Sequence, residues 1–105
     1  MVEQRRYARC PIDSQLTFTL KGGKDACSGV ARDISVGGMF IETETPAAFG
    51  SSVVVRVRLP GHKEEMVLPG IVRWGRTDGM GVQFGLVGAR ETHAITEIVK
   101  KNDNG

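Results

Sequence analysis

Val53-Val54-Val55-Arg56-Val57-Arg58-Leu59 puts Val53, Val55, Val57 and Leu59 on one side of an extended chain and Val54, Arg56 and Arg58 on the other. Side chains of a strand alternate between its two faces, so this period of two predicts a strand with one face in a core and one toward water. Upstream, Gln15-Leu16-Thr17-Phe18-Thr19-Leu20 alternates in the same way and runs into Lys21-Gly22-Gly23-Lys24-Asp25, a turn by composition. A second strand is expected over Ala26 to Ile34, stopping at Val36-Gly37-Gly38, where two glycines allow a tight path with positive φ. Met39 to Glu42 then resumes the extended pattern, and Thr43 to Ser51, with Pro46 and Gly50, reads as a loop. Downstream of Leu59 a polar turn leads to Met66 to Trp74, where Pro69-Gly70 marks a bulge or an edge position. Gly75 to Gly79 turns the chain into a last strand, Met80 to Phe84.

About six short strands with no helical crossover between them favour antiparallel pairing, in a small barrel or sandwich. From Gly88 the period changes, because Ala94, Ile95, Ile98 and Val99 lie at helical spacing and the segment closes with Lys100-Lys101-Asn102. Lysines there suit the negative end of a helix dipole, so a short amphipathic helix is expected to lie across the barrel. The fold class is therefore all-β with one C-terminal helix.

A chain of 105 residues has room for one core. Its 40% hydrophobic and 25% charged residues are ordinary for a globular protein, and a net charge of +2 points to no class of partner. The local balance differs, since three arginines face only Glu3 within residues 1 to 10. No apolar run approaches the roughly eighteen residues of a membrane span, and the polar opening does not fit a signal peptide. A cytoplasmic protein without membrane insertion is expected. Cys10 and Cys27 lack paired spacing and read as free thiols used in packing. His62 and His93 stand in no metal-ligand pattern, so neither a metal nor a cofactor is expected. Asp13-Ser14 and Glu64-Glu65 read as turn or solvated groups rather than an acid–base pair, and no enzyme activity is expected.

Two stretches carry recognition chemistry. In Arg5-Arg6-Tyr7-Ala8-Arg9 three guanidinium groups precede the first strand, and such forked donors fit phosphate oxygens or the O6/N7 edge of guanine. In Asp33-Ile34-Ser35-Val36-Gly37-Gly38 a carboxylate can accept from N1 and N2 of guanine, while the glycines let a ligand approach backbone N–H groups. Each stretch alone has a plainer reading: a solvated basic tail, and a turn organised by Asp and Ser side chains.

Together, in this order and in a small all-β chain, they resemble the PilZ domain family. Arg5 and Arg9 match its Arg-x-x-x-Arg motif, and Asp33, Ser35 and Gly38 match its Asp/Asn-x-Ser-x-x-Gly motif. Ile71-Val72-Arg73-Trp74 followed by Gly79 to Phe84 is similar to the closing strands of the family. The resemblance implies a six-stranded antiparallel PilZ-type barrel with a C-terminal helix, divided into a mobile arm (1–14), barrel plus helix (15–101) and a tail (102–105). It also implies a receptor for cyclic di-GMP whose arm folds over the ligand and which acts through a protein partner it does not identify. Arg5 and Arg9 would grip phosphate and guanine with Arg6 as an auxiliary donor, Asp33 and Ser35 would bond to guanine, and Gly38 would leave room for the ring. Gln4, Gly37 and Trp74 are further candidate contacts. Gln4 stands where several members have arginine, a position that bears on whether one ligand or a stacked pair binds. Some PilZ domains have a tryptophan lining the site where Trp74 lies, which reads equally as a contact or as rim packing. Arg32 and Arg76 read as exposed strand-end residues.

Two other functions compete. One is a ligand-independent adaptor of motility or secretion machinery, against which the intact arginines argue. The other is a barrel that binds single-stranded nucleic acid, which needs stacking aromatics along a basic groove, whereas Phe18, Phe40 and Phe84 read as internal. The nucleotide receptor is the preferred reading, with no nucleic-acid partner.

Overall fold

Val53, Val55 and Val57 point into the core at 1% exposure or less, while Arg56 and Arg58 face water. In the computed structural model, which describes residues 9–103, this alternation recurs around a ring. The elements are β1 (Cys10–Leu20), β2 (Cys27–Ser35), β3 (Gly38–Glu42), β4 (Ser52–Val57), β5 (Met66–Arg76), β6 (Gly79–Phe84) and α1 (Ala89–Asp103). They form a closed barrel in the order β1-β2-β3-β6-β5-β4, every neighbouring pair antiparallel. Phe18, Ile34, Ile41, Leu68, Val72 and Met80 meet inside it. Helix α1 packs on β1 and β2 through Ala94, Ile95 and Val99, with Lys100 and Lys101 in its last turn. No helix is long and apolar enough to cross a membrane among the described residues.

Several expected bounds move. β1 begins at Cys10, so residues 10 to 14, expected in the arm, belong to the strand, with Cys10, Pro11 and Ser14 paired to β2; Pro11 and an irregularity between Pro11 and Ser14 conceal the alternation. Residues 1 to 8 lie outside the described residues. β5 runs on to Arg76, leaving only Thr77-Asp78 as the turn into β6. Pro69-Gly70 is neither bulge nor edge, because Gly70 pairs regularly with Val53 on one side and Phe84 on the other. Its glycine serves close packing: a Cβ there would stand 2.5 Å from Val82 Cγ1. The positive φ values fall at Gly22, Gly50 and Gly61, and the Gly37-Gly38 turn takes none.

The register shifts decide what faces outward. Between Ala31 and Asp33 β2 carries one more residue than β3, so Arg32 and Asp33 both lie outside while Ala31 and Ile34 stay in the core. Arg32 then donates to Asp13 of β1 at 2.6 Å and to Glu42 of β3, joining three strands where the ladder is interrupted. Those hydrogen bonds, Glu42 first, push its pKa up, so its charge is spent locally. A like shift between Val72 and Trp74 turns Arg73 and Trp74 outward together. Cys10 and Cys27 are free thiols; burial of Cys10 raises its pKa, which keeps it protonated and suits a packing role.

Candidate functional site

Directly opposite residues of an antiparallel pair share a face, so the register defines rows across the barrel. Asp33 lies opposite Phe40, Phe40 opposite Gly81, and Gly81 opposite Trp74. This row runs over the outside of β2, β3, β6 and β5. Phe40 is only 7% exposed yet stands apart from the core cluster, a correction to its reading as internal. It is covered from outside: Trp74 stacks on it with ring centroids 5.3 Å apart and planes 15° apart, and the Arg76 guanidinium caps its face at 4.6 Å. Arg76 is thus engaged with Phe40 as well as with Asp78, at 3.2 Å.

Glycine makes the layer flat. A Cβ on Gly81 would fall 2.2 Å from Trp74 Cε2, and one on Gly79 would fall 2.4 Å from Phe40 Cζ. The indole therefore lies across β6 where a side chain is missing, and Trp74 remains 44% exposed, an apolar plate facing solvent.

The second motif forms the adjoining wall. Ser35 pairs with Gly38 across the β2–β3 turn, and its hydroxyl accepts from Gly37 N at 3.2 Å and donates to Gly38 O at 3.4 Å. The Gly37 carbonyl accepts from Phe84 N at 2.9 Å, which ties the turn to β6. Gly38 is required by the closeness of β3 and β6, since a Cβ would meet Val82 O at 2.2 Å. Just before β1, Arg9 reaches Asp33 with a 3.3 Å ion pair whose two side chains are about one-third exposed, at 32% and 31%. This long contact leaves both groups open to other partners.

An open cleft of roughly 510 Å³ lies between these parts, with Arg9, Gly37, Gly38, Arg73, Trp74 and Gln83 among its walls. That volume is within the range of small-molecule sites. The structure thus gathers Arg9, Ser35, Gly37, Gly38 and Trp74 around one cleft, with Asp33 joined through Arg9. Gln4, Arg5 and Arg6 lie outside the described residues. Arg73 and Gln83 were not picked out by the motifs, and the Arg73 Nε donates to Gln83 Oε1 at 2.8 Å. Alternation from the buried Val72 already sets Arg73 outward, and the Val72–Trp74 shift adds Trp74 on the same side, so the cleft holds a guanidinium beside the indole that neither motif includes. No cluster of three or more metal-ligating side chains occurs among the described residues.

The PilZ domain family model matches residues 3–101. No curated protein matches the chain. Among solved structures, the inhibitor of motility of Bacillus subtilis (MotI/DgrA) superposes with a TM-score of 0.80 at 17% identity, over 98% of this chain and 52% of that one. The chain thus spans about half the length of that protein. The PilZ domain of YcgR from Escherichia coli, solved with c-di-GMP, gives a TM-score of 0.73 at 16% identity, covering 97% of this chain and 93% of the other. The MrkH–c-di-GMP complex of K. pneumonia gives 0.76 at 18% identity, over 96% of this chain and 52% of that one. At these identities the likeness establishes a common fold.

Proposed function

The chain belongs to the PilZ domain family, and on that premise we propose that it is a receptor for cyclic di-GMP that signals through a partner protein without transforming its ligand. The observation that carries this reading is the juxtaposition around one cleft of the exposed Trp74 plate, the glycine-walled turn at residues 37–38 and Arg9, which is loosely paired to Asp33. Each part matches a part of the ligand. A purine stacks on the open indole face, as bases do on aromatic side chains. Asp33 accepts from N1 and N2 of guanine, donors that adenine lacks. Arg9 exchanges a long contact to Asp33 for a charge-assisted, forked contact to phosphate, and Arg5 and Arg6 add charge from the arm. Ser35 holds the turn through its two hydrogen bonds, and Gly38 keeps the wall thin. Gln4 supplies a neutral donor in place of a cation, so the molar ratio of ligand to protein is part of what the test measures.

Two solved neighbours contain the same ligand, YcgR's PilZ domain and MrkH. Ordering of the arm over the bound nucleotide would give a partner a new surface to read. The test is isothermal titration with cyclic di-GMP, with GTP and cyclic di-AMP as competitors. Selective micromolar or tighter binding is expected, weakened about tenfold or more in Arg9→Ala by loss of a charged hydrogen bond. Recovery of unaltered nucleotide by chromatography completes the expectation. Absence of binding would overturn the receptor reading and leave a ligand-independent adaptor.

A further inference from the structure

Arg73 belongs to neither motif, yet it stands beside the stacking plate. The register shift between Val72 and Trp74 puts both Arg73 and Trp74 on the outer surface, and both border the cleft. Gln83, on β6 directly opposite Gly38, accepts from Arg73 Nε at 2.8 Å. That bond consumes the side edge of the guanidinium and fixes its plane. The remaining edge, the Nη1/Nη2 fork, has no carboxylate within ion-pair distance among the described residues, unlike those of Arg9, Arg32 and Arg90. A planar fork held rigidly at the side of a purine platform matches two adjacent acceptors on a base edge. Guanine offers such a pair at O6 and N7, whereas adenine sets a donor next to N7.

We propose that Arg73, oriented by Gln83, reads the O6/N7 edge of a guanine stacked at Trp74, so that β5 contributes base selectivity independently of Asp33. This rests on the cyclic di-GMP reading and deepens it. Asp33 and Arg73 would take opposite edges of guanine, the carboxylate its N1 and N2 donors and the guanidinium its acceptors. Asp33 and Trp74 are three strand spacings apart across the barrel, at most roughly 14 Å between backbones, which leaves space for a purine between the side chains.

The discriminating probe is the cyclic dinucleotide of 7-deazaguanosine, in which C–H replaces N7 while N1, N2, O6, sugar and phosphates are kept. Wild-type protein is expected to bind it about tenfold more weakly than cyclic di-GMP. Arg73→Ala should bind both with equal, reduced affinity, and Gln83→Leu, which frees the guanidinium to rotate, should narrow the gap. Thermal melts unchanged from wild type would show that these exposed substitutions leave the barrel intact. A full gap retained by Arg73→Ala, or no gap in the wild type, would overturn the assignment while the receptor reading stands. Failure of the wild type to bind cyclic di-GMP at all would remove both.

Discussion

A single methyl group at residue 38 would collide with a backbone oxygen of the neighbouring strand. Its carbon would lie 2.2 Å from Val82 O, and a carbonyl held in a ladder cannot rotate away as a side-chain end would. Gly38→Ala must therefore push β3 from β6 at the wall of the cleft. A cost of about 1–3 kcal/mol is expected, seen as a melting temperature lowered by several degrees. Gly75→Ala is the matched control, since a Cβ there meets nothing closer than 4.0 Å, and it should melt like the wild type. Equal melting of the two variants would show that the strands yield freely at this point. The sequence displays Gly38 as the end of a motif and suggests backbone flexibility, but the reason it is glycine lies 44 positions away at Val82. No local pattern carries that information.

Helix α1 is held by one apolar stripe, so its contribution to stability is concentrated. Ile95 is 1% exposed, and Cys10 of β1 lies against the helix with its sulfur 3.9 Å from Ile98 O. Ile95→Ala should cost about 2–5 kcal/mol in urea unfolding, whereas Glu97→Ala, which removes only an exposed contact to His93 at 3.5 Å, should stay within about 0.5 kcal/mol. Comparable losses in both would mean that the helix is not docked through this stripe. The helical spacing of Ala94, Ile95, Ile98 and Val99 makes the element legible in the sequence, as alternation does for β4. What alternation hides is phase. One extra residue at Arg32 keeps Asp33 outside opposite Phe40, and the shift near Arg73 brings Trp74 opposite Gly81. The motif residues Asp33 and Ser35 could therefore be named in advance, but the aromatic layer beside them could not, because it depends on registers among four strands.

The ring of hairpins is closed by two distant pairings, β1 with β4 and β3 with β6: Leu16 pairs with Val57, and Gly38 with Gln83. Such non-local pairing must close long loops before any contact rewards it, so refolding from urea is expected in milliseconds to seconds rather than microseconds when followed by stopped-flow. A microsecond phase carrying the whole amplitude would contradict this. Closure has a second consequence, for the way a signal could leave the molecule. Each strand is flanked on both sides, so none can slip or peel away without breaking two ladders at once. Arg9 is attached directly to the first of these strands. If the chain is the receptor proposed above, a message starting at the cleft has no soft strand to travel along, and a partner would read it as a changed outline and charge on the exterior rather than as a deformation passed through the barrel.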